Sequence, residues 1–380
     1  MRVSIDATPL LLRSAGVKTY FYHWLRHLAR VESPIHLDLF PRLHGLGALD
    51  HESSHYGYFA TRWRLGLLLA ANRGIPPARW ILMPRRTDLF HVSNQMRRPA
   101  RNIPLSATVH DFTCWLMPEL HTEANVRADR HFADAVLARA AGLIAVSENT
   151  RRDAIRVLGI DAGRVEVIYP GVSEAYFRAG ATREGTAPDA QSSQTTTDGE
   201  KPYVLFVGTI EPRKNVGVLM DAFAMLPASI REHYELKIAG PPGWGSAELM
   251  RRLAAPPAGV RYLGYVPEDE APALFAGASL VAYPSLYEGF GFPVAQALAC
   301  GVPVLTSSVS SLPEVGGPGA QLVDPRSAAE IRDGLLALLT SPSRRAALSG
   351  AGAAHAQRLF RWDENARRSL AFFHKAGGRA

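Results

Sequence analysis

The stretch YPSLYEGFGFPVAQALACGVPV, residues 283–304, carries the reading of this chain. A strand ends near Tyr283, a glycine-bearing loop follows, and a helix begins close to Pro293, a residue favoured in a first helical turn. Open parallel sheets bind ligands beyond the carboxyl ends of their strands, where such loops and helix N-termini converge. Gly289 and Gly291 let the backbone approach a ligand closely, and the helix end adds a partial positive charge suited to a phosphate. Glu288 stands just before this loop, where a carboxylate accepts hydrogen bonds from sugar hydroxyls. Taken alone, a Gly-x-Gly after a strand is a weak signal, and a plain turn is its more common explanation.

Working outward, two segments open like the first strand of an α/β unit. Residues 2–6 (RVSID) run into a turn containing Gly16 and an apolar-periodic stretch from Tyr20 to Leu28. Residues 203–208 (YVLFVG) run into a loop and a helical stretch around Val218–Leu226. Further strand-like runs are Ser106–His110, Gly142–Val146, Val165–Ile168, Leu236–Ala239, Leu280–Tyr283 and Val302–Thr306. Continuous apolar strands followed by amphipathic helices predict an α/β fold with parallel sheets covered on both faces. A chain of 380 residues suggests two domains, since single cores rarely grow past about 250–300 residues. Residues 179–201 (AGATREGTAPDAQSSQTTTDGEK) are almost free of large apolar side chains, so burial cannot offset their ordering entropy. They read as a flexible linker between an N-terminal domain, 1–178, and a C-terminal domain, 202–357. A terminal helix is expected in 358–380, on the apolar stretch LFRWDENARRSLAFF from Leu359 to Phe373.

Composition is that of ordinary globular protein, 47% hydrophobic and 20% charged. No apolar run approaches the roughly 18–20 residues of a membrane-spanning helix. The opening MRVSIDATPL reads as a strand rather than a signal peptide, so a cytoplasmic location is expected. Cys114 and Cys300 lie far apart, which argues against a disulfide framework or zinc cluster and for two buried thiols. The formal charge of +7 is uneven: between Arg62 and Arg101 stand nine arginines (62, 64, 73, 79, 85, 86, 97, 98, 101) and one acid, Asp88. Such a patch suits nucleic acid, anionic lipid or an anionic substrate, or is simply a solvated face. No nucleic-acid module signature accompanies it, so no nucleic-acid partner is expected. Neither half shows a G-x-G-x-x-G fingerprint, which argues against a nicotinamide dehydrogenase. No Asp-x-Asp pair occurs, and Glu268-Asp-Glu270 reads as the first turn of a helix.

Glu288-Gly-Phe-Gly-Phe-Pro293, followed by Ala299-Cys-Gly-Val-Pro303, strongly resembles the donor site of the family 4 retaining glycosyltransferases of the GT-B fold. Val207-Gly-Thr-Ile-Glu-Pro-Arg-Lys-Asn215 is similar to the diphosphate-binding loop of that family, Gly264-Tyr-Val-Pro267 to its base-contacting turn, and Ser310-Ser-Leu-Pro-Glu314 to a following loop. Upstream, Val109-His-Asp111, Val146-Ser-Glu-Asn-Thr-Arg151 and Tyr169-Pro-Gly-Val172 match the N-terminal half. The resemblance covers nearly the whole chain except residues 179–201. It implies two Rossmann-like domains facing across a cleft. It also implies transfer of a hexose from a nucleoside-diphosphate sugar to a glycan or lipid-linked acceptor, with retention and with neither metal nor other cofactor.

Residue by residue, the resemblance implies that His110 and Glu288 are catalytic, with Asp111 beside His110 on the acceptor side. Gly16, Gly208, Thr209, Arg213 and Lys214 would meet the diphosphate, and the backbone of Tyr265 and Val266 the base. Glu288 with Gly289, Phe290, Gly291 and Phe292 would hold sugar and phosphate, and Gln296 the ribose. Two positions depart from the pattern: Thr209 stands where many relatives carry arginine, and Gln296 where they carry a second glutamate. Those departures leave open a non-catalytic sugar-nucleotide-binding subunit. The form of the phosphate loop resembles bacterial polysaccharide and O-antigen enzymes, many of them mannosyl- or rhamnosyltransferases, and favours a GDP-linked donor. An enzyme of that kind would meet anionic membrane peripherally, on its inner face, through the arginine-rich segment.

Overall fold

The computed structural model describes residues 1–12, 16–43, 46, 49, 54, 56–75, 86–93, 95–96, 98–99, 102–185 and 201–378, with backbone alone at 184–185. Contacts divide the chain into two units, Met1–Gly171 with Arg361–Ala380, and Val172–Phe360.

The first unit is built on six parallel strands, β1 (Arg2–Asp6), β2 (His36–Phe40), β3 (Leu89–Val92), β4 (Leu105–Val109), β5 (Gly142–Ala145) and β6 (Val165–Val167), in the order β2-β1-β3-β4-β5-β6. Strands β3, β4 and β5 are buried along their whole length, as a parallel sheet with both faces covered requires. Phe90, Val92, Ala107, Val109, Leu143 and Ala145 form the centre of the core on this sheet. The Gly16–Leu28 helix packs on the final helix, Trp362–Gly377, where Trp24 Nε1 donates to Ser369 Oγ at 2.9 Å.

The second unit carries β7 (Tyr203–Val207), β8 (Glu235–Ala239), β9 (Val260–Gly264), β10 (Leu280–Tyr283), β11 (Val304–Ser307) and β12 (Ala320–Val323), in the order β12-β11-β10-β7-β8-β9, all parallel. The chain therefore steps from β7 outward to β9, returns, and lays β10 on the other side of β7. That reversal is the topological switch point at which doubly wound sheets bind ligands. In the first unit the reversal falls between β1 and β3.

Several expected boundaries move. Residues 179–185, read from the sequence as linker, continue the Glu174–Gly185 helix, and residues 186–200 lie outside the described residues. That helix buries Tyr176, Phe177 and Gly180 at helical spacing. An added Cβ at Gly180 would sit 2.6 Å from the carbonyl oxygen of Ala299, so glycine permits the close approach. Arg183 Nη1 closes the contact by donating to the carbonyls of Ala276 and Ala278. The chain accordingly enters the second unit at Val172, before the expected boundary at 178. At the other end, Leu359 closes the Pro342–Leu359 helix and a new helix starts at Trp362; this last helix packs with the first unit. Both cysteines are buried, as the sequence suggested. No helix among the described residues is long and apolar enough to cross a membrane.

Candidate active site

Because β7 and β10 are neighbours, the loops after their carboxyl ends share one place, and the two most suggestive motifs of the sequence meet there. Lys214 Nζ donates to Glu288 Oε1 at 2.6 Å, and Arg213 Nη1 to Glu288 Oε2 at 2.9 Å. Arg213 also reaches the carbonyl of Tyr287 at 2.6 Å and, through Nη2, Glu211 Oε1 at 2.7 Å. Tyr283, the last residue of β10, donates its hydroxyl to Glu288 Oε1 at 2.9 Å. Burial alone would raise the Glu288 pKa, but the guanidinium of Arg213 and the ammonium of Lys214 outweigh it and bring the carboxyl down to about 2. Burial, and then Arg213, pull Lys214 below its ordinary value, against the opposing pull of Glu288 and Glu211. Tyr283 is pushed well up, first by burial and then by the Glu288 charge.

The arrangement adds a constraint to the sequence reading: Lys214 and Arg213, the cations expected to meet a diphosphate, are both engaged by carboxylates. Two cations face two acids, Glu211 and Glu288, so the side-chain charge of the cluster sums to zero.

The backbone around the cluster is held from several sides. The carbonyl of Arg213 accepts from the amide of Leu286 at 2.9 Å and from Ser285 Oγ at 3.0 Å. Asn215, at φ 62°, sends its side-chain amide to the carbonyls of Pro284 (3.0 Å) and Pro325 (2.6 Å). The amide of Glu288 donates to Ser310 Oγ at 3.1 Å, while Ser311 Oγ donates to the carbonyls of Glu288 and Phe290, each at 2.9 Å. Gly291 has φ 98°, a conformation that favours glycine, and a Cβ there would lie 2.7 Å from the Leu312 side chain. The Phe292–Ala299 helix follows at once, with Pro293 in its first turn. Phe290 is buried edge-on against Phe292, 5.3 Å between ring centres. Gln296 is half-buried, one turn into this helix and on the face of Phe292.

Gly208 and Thr209 follow β7 and pack against the segment after β8, where a Cβ at Gly243 would meet Thr209 Cγ2 at 2.7 Å. Tyr265 and Val266 follow β9, the former 36% exposed. Glu268–Glu270 precede the Ala271–Ala276 helix rather than forming its first turn.

In the first unit, His110 follows β4, its ring edge-on to Tyr20 at 5.1 Å. Burial takes its pKa down to about 4 against the pull of Asp111, so the imidazole is neutral near pH 7. Asp111 Oδ1 accepts from the amide (3.0 Å) and hydroxyl (2.7 Å) of Thr113, closing a turn just before the short Thr113–Leu116 helix. Behind them His91 is wholly buried, with Nδ1 2.9 Å from Ser106 Oγ and Nε2 3.0 Å from Thr108 Oγ1. Gly16 is exposed and begins its helix; a Cβ there would meet nothing within 4 Å.

The sequence reading did not single out Glu211, Tyr283, Ser310 or Ser311 individually, although all four lie in the quoted stretches. A glutamate two residues before an arginine in a phosphate-type loop was the one local signal for Glu211.

Two doubly wound parallel-sheet units of this kind define the GT-B architecture, and solved structures agree. Sucrose-phosphate synthase from Thermosynechococcus elongatus superposes with a TM-score of 0.73 at 19% identity, covering 100% of both chains. Anabaena HepE in complex with UDP and glucose gives 0.67 at 18% identity, covering 98% of this chain and 99% of its own. The family models divide between the two halves: Glycosyltransferase Family 4 matches residues 14–176 and Glycosyl transferases group 1 matches residues 189–355. O-antigen chain mannosyltransferase B of Escherichia coli is 31% identical over 378 residues, covering 96% of this chain and 97% of that protein. The chain belongs to the group 1 (family 4) glycosyltransferases and is an enzyme of that class.

Proposed function

We propose that this enzyme transfers a hexose from GDP-mannose or GDP-rhamnose to a glycan or lipid-linked acceptor in bacterial polysaccharide assembly, with retention and without a metal. It would work in the cytoplasm, at the inner face of the membrane. The observation that carries the reading is the pairing of Lys214 and Arg213 with Glu288 beside the start of the Phe292–Ala299 helix. The mannosyl donor is supported by the name of the E. coli relative.

In this reading the bond from the anomeric carbon to the diphosphate breaks and its electron pair leaves on the phosphate oxygen. The acceptor hydroxyl oxygen forms the new bond, and its proton passes to the departing diphosphate. Lys214, Arg213 and the helix start stabilise the leaving group, which is the main electrostatic task. Glu288, fixed as a carboxylate, accepts from the sugar hydroxyls. Gly208 and Thr209 would meet the diphosphate, Tyr265 and Val266 the base, and Gln296 the ribose. Neutral His110 hydrogen-bonds beside the reacting sugar, while Asp111 is occupied with its turn.

A thermal-shift panel of nucleoside diphosphates tests the reading, since a ligand at a hundred times its Kd stabilises by about 2.7 kcal/mol. GDP and GDP-mannose should raise the melting temperature above UDP or ADP, and GDP should be released when acceptor is added. A shift by UDP alone would overturn the base assignment, and no shift by any nucleotide the whole proposal.

A further inference from the structure

The Tyr58–Asn72 helix has two faces of opposite purpose. Leu68 lies in the core of the first unit and Leu65 and Leu67 pack against it. The run 65–70 therefore mostly points inward, and of its leucines Leu69 is the exposed one. The outward face is formed by Phe59, Arg62, Trp63, Gly66, Leu69 and Arg73, all exposed and falling on one arc at about 100° per residue. Phe59 is 85% exposed, Trp63 53% and Leu69 51%, and Tyr58 at the start of the helix is 66% exposed. The helix contains no acid. Arg62 lies over the Tyr58 ring, 5.3 Å away, and donates to its hydroxyl at 2.9 Å. Arg64 turns inward instead, to the carbonyls of Pro41, Ala60 and Arg42, and ties the helix to the end of β2. Of the remaining arginines of this segment, 79, 85, 97 and 101 lie outside the described residues.

Large aromatic side chains left in water on a folded surface mark an interaction site. Aromatic and aliphatic side chains interleaved with arginine on an acid-free face fit the headgroup boundary of an anionic bilayer: rings enter the acyl edge while guanidinium groups meet phosphates. We infer that the Phe59-Arg62-Trp63-Leu69-Arg73 face of this helix docks the enzyme on a membrane carrying anionic phospholipid. The use of this contact rests on the lipid-linked-acceptor reading above; the contact itself does not, and it is measured without donor or acceptor.

The test is co-sedimentation of the full chain with phosphatidylglycerol–phosphatidylcholine vesicles against phosphatidylcholine alone, at low and high salt. Wild-type protein should bind the anionic vesicles and lose binding as salt screens the arginines. The pair Phe59→Ser/Trp63→Ser and the pair Arg62→Gln/Arg73→Gln should each lower partitioning at least tenfold with an unchanged melting temperature. Arg64→Gln should instead lower the melting temperature, because its contacts are internal. Equal binding by both surface variants, or no binding by wild type, overturns the inference. A concentration-dependent dimer abolished by Trp63→Ser also overturns it, since the face would then be an interface between two copies.

Discussion

Replacing Glu288 by glutamine separates the two tasks of the cluster. In the native chain this carboxylate holds Lys214 at 2.6 Å and Arg213 at 2.9 Å, and all three side chains are largely buried. Glutamine keeps the shape and removes the charge. Arg213 still has Glu211, at 2.7 Å, so Lys214 loses most. Breaking a buried pair costs about 3–5 kcal/mol, and the empty variant should melt lower than wild type. A bound diphosphate reverses the sign, because it meets Lys214 without a competing carboxylate. Two unit charges about 6 Å apart interact by about 3 kcal/mol at an effective dielectric near 20, and even half of that is roughly tenfold in affinity. GDP should therefore bind Glu288→Gln at least tenfold more tightly and restore its melting temperature. Turnover should fall at least tenfold, because the sugar loses its charged acceptor and one of the two carboxylate oxygens. Titration calorimetry, thermal shift with and without GDP, and initial rates read the three quantities at pH 7. A folded variant whose GDP affinity is unchanged or weaker would refute the view that Glu288 restrains the two cations.

Lys214→Ala should leave the fold intact, because Arg213 and Tyr283 still hold Glu288, and lower turnover at least tenfold for the loss of one charge-assisted contact of about 1.5–3 kcal/mol. Gln296→Glu should change donor affinity by about tenfold or less, since glutamine keeps the reach and one acceptor; conversion of an inert protein into an active one would show the natural chain to be a binding subunit. Burial holds His110 at about 4 and His91 at about 3, below the ordinary 6.5, so the unfolded chain takes up protons first as pH falls. Stability should be full above pH 6.5 and decline toward pH 4 by up to about 1.4 kcal/mol per pH unit for each histidine, and thermal melts of His91→Gln should show a shallower decline than wild type. Deleting 182–198, which composition alone marks as dispensable, should lower the melting temperature by removing Arg183 from the carbonyls of Ala276 and Ala278, whereas deleting 187–198 should not.

What the sequence reveals depends on how local the cause is. Strand β10 and the helix from Phe292 were legible because a short apolar run, two glycines and Pro293 are contiguous signals. Strands β2, β3, β9 and β12 were not. β2, β9 and β12 are sheet edges, half in water, so their side chains do not form the continuous apolar run of a central strand, whereas β3 is central and wholly buried but only four residues long, with His91 interrupting its apolar run. The Glu174–Gly185 helix escaped for a related reason: after Phe177 its next buried position is Gly180, which contributes to packing by lacking a side chain and so carries no apolar signal.

The site divides along the same line. The resemblance marks residues 207–215 and 283–304 as two candidate donor loops, each from its own stretch. That they form one loop pair depends on strand order, because Lys214 and Glu288 are 74 residues apart and touch only if β10 lies beside β7. Spacing cannot supply that fact, and with it goes the charge balance. Without the pairing, Lys214 and Arg213 count as two positive charges awaiting a phosphate. With it they belong to a neutral group of four, and on the proposed function a diphosphate would compete with Glu211 and Glu288 for its cations. Binding strength in such a site is therefore governed by the acids as much as by the bases. A glutamate two residues before the arginine, unremarked in the one-dimensional reading, becomes a determinant of how much positive charge the donor meets.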